Sequence, residues 1–375
     1  MKIIGIGAAG NKAVWSAVEG GSLEANEVLL MNSTFKDFPN ETTDRCVLIS
    51  NIGGCGKERE VGTEIMNTYL SDQARVNKLF NEFIKNEGEH IIIVTSTGGG
   101  TGSGASIPLA KYCYDQFKAD VTIIGFKGFG DDLRELNNTL GFLKDIPREV
   151  TVQLIDNNAF GDVKLEAQRL ANTEVARRIL ILSGELFVSS HQNIDSTDLY
   201  KLVTTPGYQQ VETTYLNKIK NSDDINTALK KMIDNSKGVP TSPSVKSLGV
   251  IYNIDPELSQ YIDLGHSFLK EKYGASIEVF THVQHPEQSN DEKNWVGVIA
   301  SGAKMPIKEL KDIYTQYLEM EQRLDTTDDE FFNTSSKIEL GNLGTRARRG
   351  RKQQQTPVSN GTFTPNTTEA TQDQF

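Results

Sequence analysis

The chain has few cysteines: Cys46, Cys55 and Cys113 are the only three in 375 residues, an odd number at wide spacing. That argues against a disulfide framework or a clustered zinc site and leaves free thiols as the expectation. No apolar run approaches the roughly 18 residues needed to cross a bilayer. The opening "MKIIGIGAAG" also lacks the basic stretch and long apolar segment of a secretory leader. A cytoplasmic protein with no membrane segment is therefore expected. Positive charge is in deficit as well, the net charge being −11. The basic residues are unevenly placed. Arg346, Arg348, Arg349, Arg351 and Lys352 follow Thr345 with only Glu369 and Asp373 against them, leaving 34 basic and 48 acidic side chains, or −14, on residues 1–345. Such a body repels nucleic acid, so contact with DNA or an acidic partner falls to the tail.

What is present is an alternation. Short apolar runs ("KIIGIG", "EVLLMNS", "CVLIS", "HIIIVTS", "DVTIIGF", "VTVQLID") are separated by longer helical segments through about residue 156. This predicts an α/β fold with a Rossmann-like parallel sheet. The segment after it places Leu165, Leu170, Val175, Ile179, Leu182 and Leu186 at helical spacing without proline, which predicts one long helix. Beyond it, "SLGVIYNID", "ASIEVFTHVQH" and "WVGVIASGA" read as strands of a smaller α/β domain, closed by a helix opened by Pro306. From about residue 330 the chain turns polar and low in complexity, the composition of a disordered tail.

Three glycine-rich turns follow expected strands: "GIGAAGN" from Gly5, "NIGGCGKER" from Asn51, and "STGGGTGSG" from Ser96. Glycine is costly to order, so such clusters mark either tight connections or a backbone lying close to a ligand. At the carboxyl ends of strands, free amides at the next helix start favour an anion, with Thr101 and Ser103 as further donors. "GIGAAG" fits the dinucleotide pattern G-x-G-x-x-G, yet the next strand ends in Asn32 and Ser33 rather than an acid for a nicotinamide cofactor's ribose. "GGCGKE" is not a Walker loop, because Asn51 replaces its first glycine and Glu58 follows Lys57.

"GGGTGSG" resembles the signature loop of the tubulin and FtsZ superfamily of GTPases, and "GIGAAGN" is similar to that family's first phosphate loop. The resemblance runs over about residues 1–320. It implies a GTP-binding domain (1–159), a central helix (160–192), an activation domain with a C-terminal helix (193–330) and a tail (331–375) with its basic patch at 346–352. It further implies that Gly7, Ala8, Ala9 and Asn11 line the phosphates, with Gly53, Gly54, Cys55 and Gly56 in the third loop. Gly98, Gly99, Gly100, Thr101, Gly102 and Ser103 belong to the signature loop on this reading, and Asn32 sits beside the nucleotide. "LIDNN" and "LANTEV" resemble the family's base-reading segments, making Asn157 and Asn172 the candidates for guanine, since an amide offers both a donor and an acceptor. Without the family, Asn157 reads as a turn residue and Asn172 as a solvated helix position. For the ribose, "GFGDDLRELN" departs in spacing from the FtsZ pattern, with Asp131 and Arg134 as the candidates. Mg2+ with GTP or GDP is implied, held mainly by phosphates and waters.

"NIDSTDLYKL" resembles the family's synergy loop, which makes Asp195 and Asp198 the candidate catalytic acids. Read alone, the same stretch is a helix start with Asp195 as its cap. In the family this loop enters the neighbouring subunit's site, so hydrolysis accompanies head-to-tail filament growth. The basic "RARRGRK" tether is unlike the acidic tails of eukaryotic tubulins, and no apolar division-type recruitment peptide ends the chain. "GCGKER" looks like the TubZ branch of plasmid and phage partition tubulins, which implies a TubR-like DNA-binding adaptor and centromere DNA as partners. The alternatives are an FtsZ-like division or phage-centring tubulin, a purely structural filament, and a Rossmann-type NAD-dependent oxidoreductase.

Overall fold

The computed structural model describes residues 1–39, 45–50, 53–188, 193–238, 244–263, 266–274, 276–288 and 293–335. Met1–Glu321 form one compact unit, and of the remaining unit only residues through Ser335 are described, as helix. In chain order the elements begin β1 (Lys2–Ile6), α1 (Gly7–Glu19), β2 (Val28–Asn32), β3 (Cys46–Leu48), α2 (Arg59–Ser71) and α3 (Gln73–Phe83). They continue with β4 (His90–Ser96), α4 (Gly100–Phe117), β5 (Asp120–Lys127), α5 (Leu133–Asp145), β6 (Thr151–Asp156), α6 (Lys164–Ser183) and α7 (Ser196–Thr204). The last are β7 (Gly207–Tyr215), α8 (Ser222–Asp234), β8 (Ser247–Asn253), α9 (Ser267–Tyr273), β9 (Glu278–Gln284), β10 (Trp295–Ala303) and α10 (Ile307–Ser335).

The six apolar runs of the first half become β1 to β6, as expected. All the strands join one ten-stranded sheet in the order β3-β2-β1-β4-β5-β6-β7-β10-β8-β9. Pairing is parallel from β3 through β7, antiparallel on both sides of β10, and parallel again between β8 and β9. Side chains alternate between two cores. Ile3, Ile92 and Val94 join Val14 of α1 and Val175 and Ile179 of α6, whereas Ile4, Ile91 and Ile93 join Met66, Phe80, Leu109 and Phe142 of α2 to α5. Both faces are thus covered, which is why these strands read as continuous apolar runs.

Three elements differ from the sequence expectation. Strand β7 was not foreseen, because its buried positions include Gln209, Gln210 and Glu212. Each is matched by a polar partner: Glu212 by Arg178 of α6 at 3.5 Å, Gln209 by Gln153 at 2.7 Å and Ser301 at 2.8 Å, and Gln210 by Ser236 at 2.9 Å. Arg178, only 1% exposed, also contacts Glu174 at 3.0 Å and Gln153 at 3.3 Å. The long helix is shorter than residues 160–192: a 3-10 turn occupies Asn157–Phe160, α6 starts at Lys164, and Gly184 with φ 76° ends it. Leu165, placed on the apolar stripe, is 80% exposed. The last helix runs to Ser335, beyond the expected start of the tail at 331.

Candidate functional site

At the carboxyl ends of β1 and β4 two helices begin without side-chain caps. The chain enters α1 at Gly7 with φ 72°, and α4 starts at Gly100 after Gly99; neither helix has an acid in its first turn. Both therefore present unpaired amides and the positive end of the helix dipole. A Cβ placed on Gly7 would lie 3.0 Å from the Gly102 nitrogen, so the two starts adjoin and face one cleft. That cleft, about 290 Å3, is lined by Ala8, Ala9, Gly98, Gly99, Asn157 and Asn172 among the expected residues. Backbone amides and the side-chain amides of Asn157, Gln168 and Asn172 around a common space suit a phosphorylated ligand with a hydrogen-bonding ring.

The glycine cluster serves both purposes that the sequence left open. A Cβ on Gly100, Gly102 or Gly104 would meet the Glu58 nitrogen at 2.9 Å, Thr95 Oγ1 at 2.7 Å or the Arg59 carbonyl at 2.2 Å, so these positions permit close packing. Gly99 would meet only Ser96 Oγ, at 3.7 Å, and opens to the cleft. In the third loop Gly53, Gly54 and Gly56 have φ of 80°, 123° and 57° with nothing within 4 Å of an added Cβ, leaving that backbone accessible. Its Asn51 lies outside the described residues.

Several candidates hold the loops rather than line the cleft. Ser33 Oγ and Thr101 Oγ1 are 2.7 Å apart, Thr101 donates to Cys55 Sγ at 3.2 Å, and the Cys55 thiol donates to Ser33 Oγ at 3.6 Å. Three loops are tied together in this way. The Ser103 hydroxyl donates to the Gly99 carbonyl. Asn11 is buried and donates to the Met31 carbonyl at 3.2 Å, while Asn32 Oδ1 accepts from the Ser33 amide at 2.8 Å. Yet, among the described residues, Asn11 Oδ1, Asn32 Nδ2, Asn157 Oδ1 and Glu135 Oε1 are buried without a protein partner. Buried polar atoms are nearly always satisfied, so four orphans on the elements that build this cleft fit a polar ligand there.

Glu135 is the residue that sequence reasoning missed. Its side chain fills the gap between two glycines: a Cβ on Gly98 would lie 2.2 Å from its Cγ, and one on Gly128 would overlap its Oε1. Burial pushes its carboxyl above the usual range, opposed by the Gly130 amide and Lys57 and reinforced by Asp131 and Asp132. Neither Asp131 nor Arg134 lines the cleft: Asp131 pairs with Lys164, and Arg134 donates to the Gly56 carbonyl at 3.4 Å. Asp131 to Glu135 is a run of polar residues broken only by Leu133, and only the flanking Gly98 and Gly128 single out the last. Lys57, Lys12, Ser96, Phe126, Gly128, Phe129 and Gln168 complete the wall. Lys57 is held by Asp132 at 2.5 Å, which raises its pKa.

Asp195 and Asp198 lie elsewhere. Asp195 caps α7, its Oδ1 accepting from the Asp198 amide at 2.8 Å, and Asp198 is 3.7 Å from Lys201. On the same helix Tyr200 donates to the Gly88 carbonyl at 2.7 Å and also contacts Asp120, fixing α7 at the amino ends of β4 and β5. The acids and the glycine loops thus occupy opposite ends of the parallel sheet, and a carboxylate on α7 cannot reach its own chain's cleft. The tail residues Arg346, Arg348, Arg349, Arg351 and Lys352 lie outside the described residues.

No protein-family model matches the chain. Among curated proteins it is 32% identical over 203 residues to the tubulin-like protein CetZ2 of Haloferax volcanii, covering 49% of this chain and 54% of that one. It is 23% identical over 217 residues to the cell division protein FtsZ of Mycoplasmopsis pulmonis, covering 55% and 53%. The chain spans about half the length of these curated relatives. Among solved structures, a GTPγS-form protofilament of TubZ from Bacillus thuringiensis serovar israelensis superposes with a TM-score of 0.73 at 16% identity, covering 89% of this chain and 94% of that one. That likeness shows the fold.

Proposed function

We propose, from the similarity of this chain to proteins of the tubulin/FtsZ superfamily, that it is a filament-forming GTPase whose complete active site arises between two head-to-tail subunits. The observation that supports this most directly is the separation of the glycine-rich cleft from Asp195 and Asp198. Each chain has one half of a hydrolytic site at each end.

In this reading the amides of Gly7 to Ala9 and Gly98 to Gly102 bind the phosphates, with Gly53 to Gly56 closing over them. Asn157 and Asn172 read the guanine edge, and Glu135 accepts from a sugar hydroxyl. Mg2+ bound with the nucleotide, held mainly by phosphates and waters, would neutralise charge on the transferred group. Asp195 and Asp198 of the adjoining subunit orient the attacking water and accept its proton. Asp195 keeps its capping role, which fixes the loop that presents both acids.

The cell role assigned is partition of plasmid or phage DNA by a cytoplasmic filament. A TubR-like adaptor on centromere DNA is captured through Arg346, Arg348, Arg349, Arg351 and Lys352, a basic tether on a chain otherwise at −14. The similarity to FtsZ favours a division or phage-centring tubulin as the second reading. Removing residues 346–375 separates the two, since it abolishes association with an adaptor–DNA complex only under the partition reading.

The test of the GTPase reading is light scattering with simultaneous phosphate release after adding GTP and Mg2+, across protein concentrations. Both signals should appear together above a critical concentration. Phosphate release proportional to protein at all concentrations would refute activation by assembly. Neither signal, with tight NADH binding instead, would restore the oxidoreductase reading.

A further inference from the structure

The turn that presents Asn157 is held by a charged bridge leading away from the cleft. Asp156 closes β6 and caps the turn, its Oδ1 accepting from the Asn158 amide at 2.9 Å. Its other oxygen, Oδ2, meets Lys127 Nζ at 3.0 Å, across the register pair that ends β5 and β6. Lys127 Nζ also contacts Glu309 Oε1, in the first turn of α10. The side chains of Lys127, Asp156 and Glu309 are 14%, 23% and 16% exposed, so one cation is shared by two sheltered carboxylates.

Lys127 is flanked by cleft residues. Phe126, Gly128 and Phe129 all line the cavity, while the Lys127 side chain is directed to α10. Two turns further along α10, Gln316 covers the same connection: a Cβ on Gly130 would lie 3.1 Å from Gln316 Oε1. Between them Ile313, 1% exposed, anchors that face of α10 in the core. A shift of α10 therefore displaces the partner of the lysine that fixes Asp156, next to the residue assigned to the base.

We propose that Lys127 is a positioning residue for base recognition, bridged between Asp156 and Glu309 so that the C-terminal helix sets the hold on the guanine ring. The inference rests on the nucleotide reading above and adds to it a regulatory input, because any partner that moves α10 alters base affinity without entering the cleft. Phosphate contacts come from other loops and are not part of this bridge.

The experiment is calorimetric titration of the full chain with GDP and with IDP, which lacks the 2-amino group. In Glu309→Gln the preference for GDP over IDP should fall by about threefold or more, the range for residues coupled to a site they do not touch. Lys127→Met should do the same, the double replacement should add little, and Lys127→Arg should retain most of the preference. Lys308→Gln, exposed on the neighbouring position, should leave both affinities unchanged. Unchanged binding in Glu309→Gln, or equal loss for GDP and IDP, overturns the positioning role while leaving the site intact. Failure of the unaltered chain to bind GDP overturns the site reading and this inference with it.

Discussion

Replacing Arg178 by Met should destabilise the chain by about 3 kcal/mol, the lower end of the roughly 3–5 kcal/mol lost when one partner of a buried ion pair is removed. The lower end follows from what the two carboxylates retain. Glu212 keeps the Ser236 hydroxyl at 2.5 Å, the Gly238 amide at 3.1 Å and the Lys237 amide at 3.4 Å. Among the described residues Glu174 keeps only Lys237 Nζ at 3.7 Å, on a side chain 45% exposed. The cost thus falls mainly on Glu174, 6% exposed and left facing an apolar side chain. Urea unfolding followed at Trp295, buried on β10, reads the loss directly. Combining Arg178→Met with Glu174→Met removes both members and should recover stability to within about 1 kcal/mol of the original chain. A single replacement costing less than about 1 kcal/mol, or a double no better than the single, would refute the assignment of α6 and β7 to one buried charge network.

Other expectations follow from the same geometry. His90, bonded to Thr122 at 2.8 Å, is pulled down to about 4 by burial, with the N-terminal ammonium adding to it. Its neutral form is the folded one, so its contribution is full above the unfolded value near 6.5 and is lost as pH falls toward 4, by about 3 kcal/mol in all. His90→Gln should flatten acid unfolding between those values; an unchanged profile would refute this. Gly104→Ala places a methyl 2.2 Å from the Arg59 carbonyl and 2.8 Å from Gly62 Cα, so α2 and α4 must part. A loss of at least about 2 kcal/mol is expected from thermal unfolding, and a neutral substitution would exclude backbone contact there. Asp198→Ala should retain GTP binding, form persistent filaments and lower phosphate release by at least about a hundredfold. Normal turnover in that variant would remove Asp198 from the proposed mechanism.

The sheet was legible where burial and hydrophobicity coincide. β1, β2, β4 and β5 lie between two helix layers and announce themselves as apolar runs. β7 does not, because a strand whose interior positions are glutamine and glutamate is indistinguishable from a loop until Arg178, Gln153 and Ser301 are known to sit beside it. The glycine loops at the cleft were legible through their own clusters, which have few physical explanations, whereas Asn157 and Asn172 came from the family resemblance. Glu135 was not, since a carboxylate on an amphipathic helix carries no mark of the two glycines that make room for it. The ends of α6 and α10 moved for a related reason: apolar spacing suggested a partner for Leu165 that the fold does not supply, and polar residues near 331 do not by themselves stop a helix.

The two ends of the sheet carry a further implication. If cleft and acids meet only between chains, a row of such chains has one fewer completed junction than it has members. At one tip a cleft stands without acids, and at the other, acids stand without a cleft. The two tips are chemically different species, so the row has an arrow built into it before any nucleotide turns over. Under the proposed reading, the newest nucleotide at the open-cleft tip would be spared until another chain arrived, and growth itself would start the clock on the subunit beneath.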